Sequence, residues 1–132
     1  MRALVLGGGS LKGAWQVGVI HAILDTGFKP EMIYGISVGA LNASFMVNEA
    51  SKQFIGKGEI NWDLVNKKLL KFWLENIKQP SDIGVLKSKF SLGIDTLLSR
   101  FDGLIDTNPL HDKLKKNLDM TILRRRDRKS VV

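Results

Sequence analysis

The chain has 132 residues, 44% of them hydrophobic and 25% charged, a balance that suits one ordinary domain with enough apolar material for a core. It contains no cysteine and only two histidines, which excludes disulfides, thiol catalysis and thiolate metal sites and argues against a histidine-held metal; no cofactor is expected. Net charge is +7, of which the run Arg124-Arg125-Arg126-Asp127-Arg128-Lys129 carries +4. Such a run suits phosphate-rich partners, yet its ordinary role is a solvated terminus. Nothing else has the spacing of a nucleic-acid module, so none is expected as a partner. No apolar run reaches the length of about 18 to 20 residues that spans a bilayer, and a secretory leader is not evident, so a cytoplasmic location is the expectation.

In chain order, Ala3-Leu4-Val5-Leu6 is a short apolar run ending in glycines and reads as a first strand, covered on both faces. Residues 11 to 26 carry Ala14, Trp15, Val17, Val19, Ile20, Ile23 and Leu24 with few charges, and Gly27 supplies a stop, which predicts a largely buried helix. Residues 31 to 36 form a second strand, and residues 38 to about 48 a second helix with Ala40, Leu41, Ala43, Phe45 and Met46 at helical spacing. Residues 51 to 60, with Gly56 and Gly58, read as a loop. Asn61 then caps a helix whose stripe is Trp62, Val65, Leu69, Phe72 or Trp73, and Ile77, broken at Gln79-Pro80-Ser81-Asp82. An irregular apolar region follows from Leu86 to Phe101. Asn108-Pro109 has the chemistry of a helix start, with Leu110, Leu114 and Leu118 on one side, and Thr121-Ile122-Leu123-Arg124 begins like a strand.

Two strands joined by a crossover helix are normally parallel and right-handed, so both glycine-rich turns fall at the carboxyl edge of one sheet. The first turn is Gly7-Gly8-Gly9-Ser10-Leu11-Lys12-Gly13, and the second is Gly35-Ile36-Ser37-Val38-Gly39. In a Gly-x-Ser-x-Gly turn the small flanking residues let the chain bend sharply from strand to helix, which exposes the serine hydroxyl. Ser37 is therefore the candidate nucleophile. Acyl transfer also needs donors aimed at a developing oxyanion, and the backbone amides of Gly8, Gly9 and Ser10 at the head of the first helix can supply them. Lys12 adds positive potential there or faces solvent. A dinucleotide reading fails in detail, because Gly7-x-Gly9-x-x-Lys12 lacks the third glycine and Gly8-x-Ser10-x-x-Gly13 the middle one.

With Gly7 to Gly13 and Gly35 to Ala40 in this order and spacing, the sequence resembles the patatin-like phospholipase family. The stretch Gly103 to Leu110 also looks like one that precedes a helix deeper in that domain. The resemblance implies an α/β fold, an open mainly parallel sheet with helices on both faces in three layers, here cut short. Residues 1–118 would be the amino-terminal part of the domain and 119–132 an atypical basic tail. It further implies a lipase or phospholipase A-like serine acyl hydrolase that cleaves lipid esters or phospholipids through a Ser-Asp dyad. The dyad aspartate of the family lies beyond the matched region. Asp102-Gly103, the chain's one Asp-Gly pair, reads as turn chemistry instead. His21 and His111 fall in predicted helices with no context that brings either near Ser37. The expected protein is thus a truncated, weakly active esterase that touches membranes peripherally and self-associates through an open sheet edge. A non-catalytic module for anionic lipid or phosphate, and an acyltransferase, are the alternatives.

Overall fold

The computed structural model describes residues 1–9, 11–86 and 105–124. Ser10, the apolar segment from 87 to 101, Asp102-Gly103 and the basic run from 125 onward lie outside the described residues. Strand β1 (Ala3–Leu6) pairs in parallel with β2 (Met32–Gly35), with Leu4 opposite Ile33 and Leu6 opposite Gly35. Between them runs α1 (Lys12–Asp25), so the parallel α/β crossover expected from the sequence is present.

The second strand turns directly into α2 (Val38–Lys57), which lies against both strands, and α3 (Trp62–Asn76) packs on α1 and α2. Their shared core contains Val17 and Ile20 from α1, Leu41, Phe45 and Met46 from α2, and Val65, Leu69, Phe72 and Trp73 from α3. The rings of Phe45 and Phe72 sit 5.1 Å apart at a tilt of 39°. That offset geometry adds about 0.5 to 1.5 kcal/mol to the burial of the two side chains.

Coverage of β1 differs from the sequence expectation. Leu4 and Leu6 are buried with Ile33, whereas Val5 on the opposite face is 72% exposed and Tyr34 beside it 49%. Alternate residues of a strand face opposite sides, and the described helices cover only one of them. Helix α1 is also less buried than its apolar content suggests: Gly13, Val17 and Ile20 face the core, while Trp15 is 72% exposed.

Helix α2 outruns its predicted end near residue 48 and absorbs most of the segment read as a loop, closing only at Gly58 with φ 76°. A tertiary contact explains the extension. The Glu49 side chain, buried in α2, takes Lys52 at 2.8 Å and Lys68 of α3 at 2.6 Å. Burial pushes its carboxyl up, and the hydrogen bonds and charges of the two lysines more than offset this, holding it below the usual carboxylate range. Asn61 caps α3 as expected, its side chain accepting the Leu64 amide at 2.9 Å.

A 3-10 turn (Pro80–Asp82) leads to β3 (Val85–Leu86), which pairs antiparallel with β4 (Ile105–Asp106). Asp82 accepts the amides of Lys78 and Gln79 and the ammonium of Lys113, tying the turn to α4 (Asn108–Asn117). Thr107 rather than Asn108 occupies the cap position of α4. The segment read as strand-like from Thr121 is instead a short helix, α5 (Met120–Arg124). Asp119 decides this: its Oδ1 accepts the Thr121 amide at 2.9 Å and the Ile122 amide at 3.3 Å, as an N-cap does.

Candidate active site

Both turns leave the sheet at the same edge, because β1 and β2 are parallel and the pairing continues one residue further through the Ile36 amide to the Leu6 carbonyl at 3.1 Å. The chain then reverses at Ser37, whose φ of 54° and ψ of −124° make it the one non-glycine residue with positive φ among the described residues. A side chain in that conformation costs about 1 to 3 kcal/mol, which the flanking packing must sustain. The flanks are glycines because nothing larger fits. A Cβ on Gly39 would stand 2.1 Å from the Leu6 carbonyl oxygen, and one on Gly35 would stand 2.3 Å from that of Gly39. The strand edge and the first turn of α2 are therefore in backbone contact.

Gly8 completes the arrangement. A Cβ there would lie 3.2 Å from Ser37 Cβ and 3.8 Å from Ser37 Oγ, so the glycine loop touches the serine. Gly9 has φ 142°, its carbonyl accepts the Lys12 amide at 3.0 Å, and the stem of Lys12 folds back over it. Gly13 is buried where a Cβ would collide with Val38 and Trp73, which lets α1 dock on the start of α2. Among the described residues, the amides of Gly8 and Gly9 donate to no backbone carbonyl. In the first turn of α2 the Gly39 amide donates to the Ile36 carbonyl at 2.9 Å and the Ala40 amide to the Ser37 carbonyl at 2.9 Å, whereas the Val38 amide, among the described residues, donates to no backbone carbonyl outside the regular ladders. Val38 was not singled out from the sequence, although the residue after a nucleophilic serine commonly donates to the oxyanion. Its place directly after Ser37 was the available signal.

Ser37 is exposed and opens into a cavity of about 460 Å³. Leu41 of α2, Leu110, Leu114 and Leu118 of the α4 segment and Met120 and Leu123 of α5 make its walls mostly apolar. Two basic side chains, His111 and Lys115, also line it. The sequence offered no reason to bring His111 to Ser37; both line this one cavity, whose walls come from the start of α2, from the α4 segment and from α5. His21 stays apart on α1, 3.6 Å from Asp25 at the surface. Among the described lining residues there is no carboxylate, and among the described residues no three of His, Asp or Glu gather to hold a metal ion. This arrangement places the Ser37 hydroxyl beside the glycine loop and at the rim of an apolar cavity.

Comparison with known proteins agrees with the family resemblance. The chain is 33% identical over 72 residues to the neuropathy target esterase sws of Drosophila melanogaster, and equally so to those of Drosophila erecta and Drosophila yakuba. Each match covers 54% of this chain and 5% of the relative, so the chain spans a small part of the curated proteins it matches. No solved structure matches it. The family model described as patatin-like phospholipase matches residues 4–132, and the chain belongs to that family.

Proposed function

We propose that the chain carries the nucleophile and oxyanion hole of a serine acyl hydrolase acting on lipid esters. Contact between Gly8 and Ser37 carries this reading: the loop whose Gly8 and Gly9 amides donate to no backbone carbonyl among the described residues touches the residue held in a strained, exposed turn. Ser37 Oγ attacks the ester carbonyl carbon and its proton passes to a base. The carbonyl oxygen becomes an oxyanion held by the amides of Gly8 and Gly9, with Val38 adjacent and Ser10 next in the same loop. Each such donor contributes roughly 3 to 4 kcal/mol to the transition state. Collapse breaks the ester C–O bond, the base returns its proton to the departing alcohol, and an acyl-enzyme remains, which water hydrolyses to the fatty acid and free serine. The apolar wall of the cavity suits the acyl chain. The family resemblance assigns the base to an aspartate.

The experiment is labelling with a fluorophosphonate probe. Wild type should label and Ser37→Ala should not; equal labelling of both overturns the reading.

A second reading has its own observation. The Lys12 stem lies over Gly9, and Lys115 lines the apolar cavity, so positive charge adjoins both the loop and the groove. A non-catalytic module for anionic lipid uses the same features, and no described helix is long and apolar enough to cross a membrane. Binding to anionic vesicles that survives Ser37→Ala, without ester hydrolysis by wild type, would favour it.

A further inference from the structure

A continuous hydrogen-bonded chain runs from the core to the glycine loop. Trp73 Nε1 on α3 donates to Asn42 Oδ1 on α2 at 2.8 Å. Asn42 Nδ2 donates to Gln16 Oε1 on α1 at 3.0 Å and to the Gly13 carbonyl at 3.0 Å. Gln16 Nε2 then donates to the Gly7 carbonyl at 2.6 Å. Asn42 is fully buried and Trp73 nearly so, which makes the inner end of this chain rigid.

The direction of the chain is dictated by chemistry. An indole N–H can only donate, so it turns the Asn42 oxygen toward itself and the Asn42 amide nitrogen toward α1. That nitrogen in turn draws the Gln16 oxygen, leaving the Gln16 nitrogen to face the loop. Every bond donates in the same sense, so each polarises the next. At the end stands one peptide unit. The Gly7 carbonyl and the Gly8 amide belong to the same trans peptide and point in opposite directions. Whatever holds the carbonyl therefore also aims the amide.

We propose that Gln16 is a positioning residue: held by Asn42 and Trp73, it locks the Gly7–Gly8 peptide and keeps the Gly8 amide turned away from α1, as an oxyanion donor. The lock itself is a statement about one peptide; its catalytic consequence rests on the Ser37 reading above. Without Gln16, the Gly7 carbonyl loses its side-chain partner and keeps only its packing beside Gly39, and a loop of three glycines tolerates the flipped peptide.

Two measurements on the full chain test this. Gln16 is only half-buried, so Gln16→Met, which keeps length but cannot donate, should fold with nearly the wild-type melting temperature. In 15N-labelled protein, the Gly8 amide of Gln16→Met should shift and its order parameter should fall from a rigid value of about 0.85 to below about 0.6, while the Gly18 amide on the same helix as Gln16 stays put. An unchanged Gly8 amide overturns the lock, whatever the labelling shows. For fluorophosphonate labelling, the maximal rate should fall at least tenfold with the probe concentration for half-saturation unchanged, and Gln16→Glu should show the same loss. Labelling of Gln16→Met at the wild-type rate overturns the catalytic role alone. Wild-type protein without Ser37-dependent labelling overturns the Ser37 reading, and with it that role, while the Gly8 amide still decides the lock.

Discussion

Replacing Gly39 by alanine tests the contact on which the site depends. The new Cβ would stand 2.1 Å from the Leu6 carbonyl oxygen, 2.6 Å from the Leu6 carbonyl carbon and 2.6 Å from the Gly7 oxygen. All three are backbone atoms at the end of β1, so no side chain can swing away, and α2 must move off the sheet by about an ångström. Overpacking of this kind costs about 1 to 3 kcal/mol and more where backbone must shift, so the upper end applies. Alanine regains about 1 kcal/mol of helix propensity, which leaves a net loss of about 2 kcal/mol or more. Gly18→Ala is the control, since a Cβ there meets nothing within 4 Å and lies on the exposed side of α1, where the same propensity should stabilise by about 1 kcal/mol. In urea unfolding followed by circular dichroism, Gly39→Ala should lower the midpoint by about 1 M and Gly18→Ala should raise it slightly. The displaced α2 also carries Ser37 away from Gly8, so fluorophosphonate labelling of Gly39→Ala should fall at least tenfold. A Gly39→Ala protein as stable as wild type would refute the backbone contact between α2 and β1.

Ser37→Gly should abolish labelling and yet stabilise the fold by about 1 kcal/mol, because glycine relieves the positive φ at some entropic cost in the unfolded chain; a melting temperature below that of wild type would contradict stored strain. Glu49→Gln should destabilise by about 2 kcal/mol at neutral pH, between an exposed and a fully buried ion pair, because the carboxylate is buried while Lys52 and Lys68 are partly exposed. The Glu49 carboxyl is lowered in the fold, so its stabilisation is present above the unfolded value of about 4.3 and is lost as pH falls through the lower folded one. The wild-type advantage over Glu49→Gln in urea midpoints should therefore shrink below about pH 4, and a gap that widens there would count against the pairing. Asn61→Ala should cost about 1 kcal/mol through the lost cap on the Leu64 amide, measured by the same unfolding curves. His111→Gln is expected to leave Ser37 labelling unchanged, since the resemblance gives the base to a carboxylate; a tenfold drop would transfer that role to the imidazole lining the cavity.

Local chemistry in the sequence determined the two strands, the crossover helix, the Asn61 cap and the two glycine turns, because each rests on contacts within a few residues: apolar runs, a capping side chain, glycine beside a sharp bend. The family could be read for the same reason, from Gly7 to Gly13 and Gly35 to Ala40 alone. Tertiary packing decided the rest. The extension of α2 through residues that read as a loop depended on Glu49 meeting Lys68, nineteen positions away on another helix. Exposure of Val5 depended on which face of the sheet the helices cover. The approach of His111 to the Ser37 cavity and the chain from Trp73 through Asn42 and Gln16 to Gly7 join residues with no sequence relation to one another. Their geometry is set by how helices stack, a property of the whole core that no local pattern encodes.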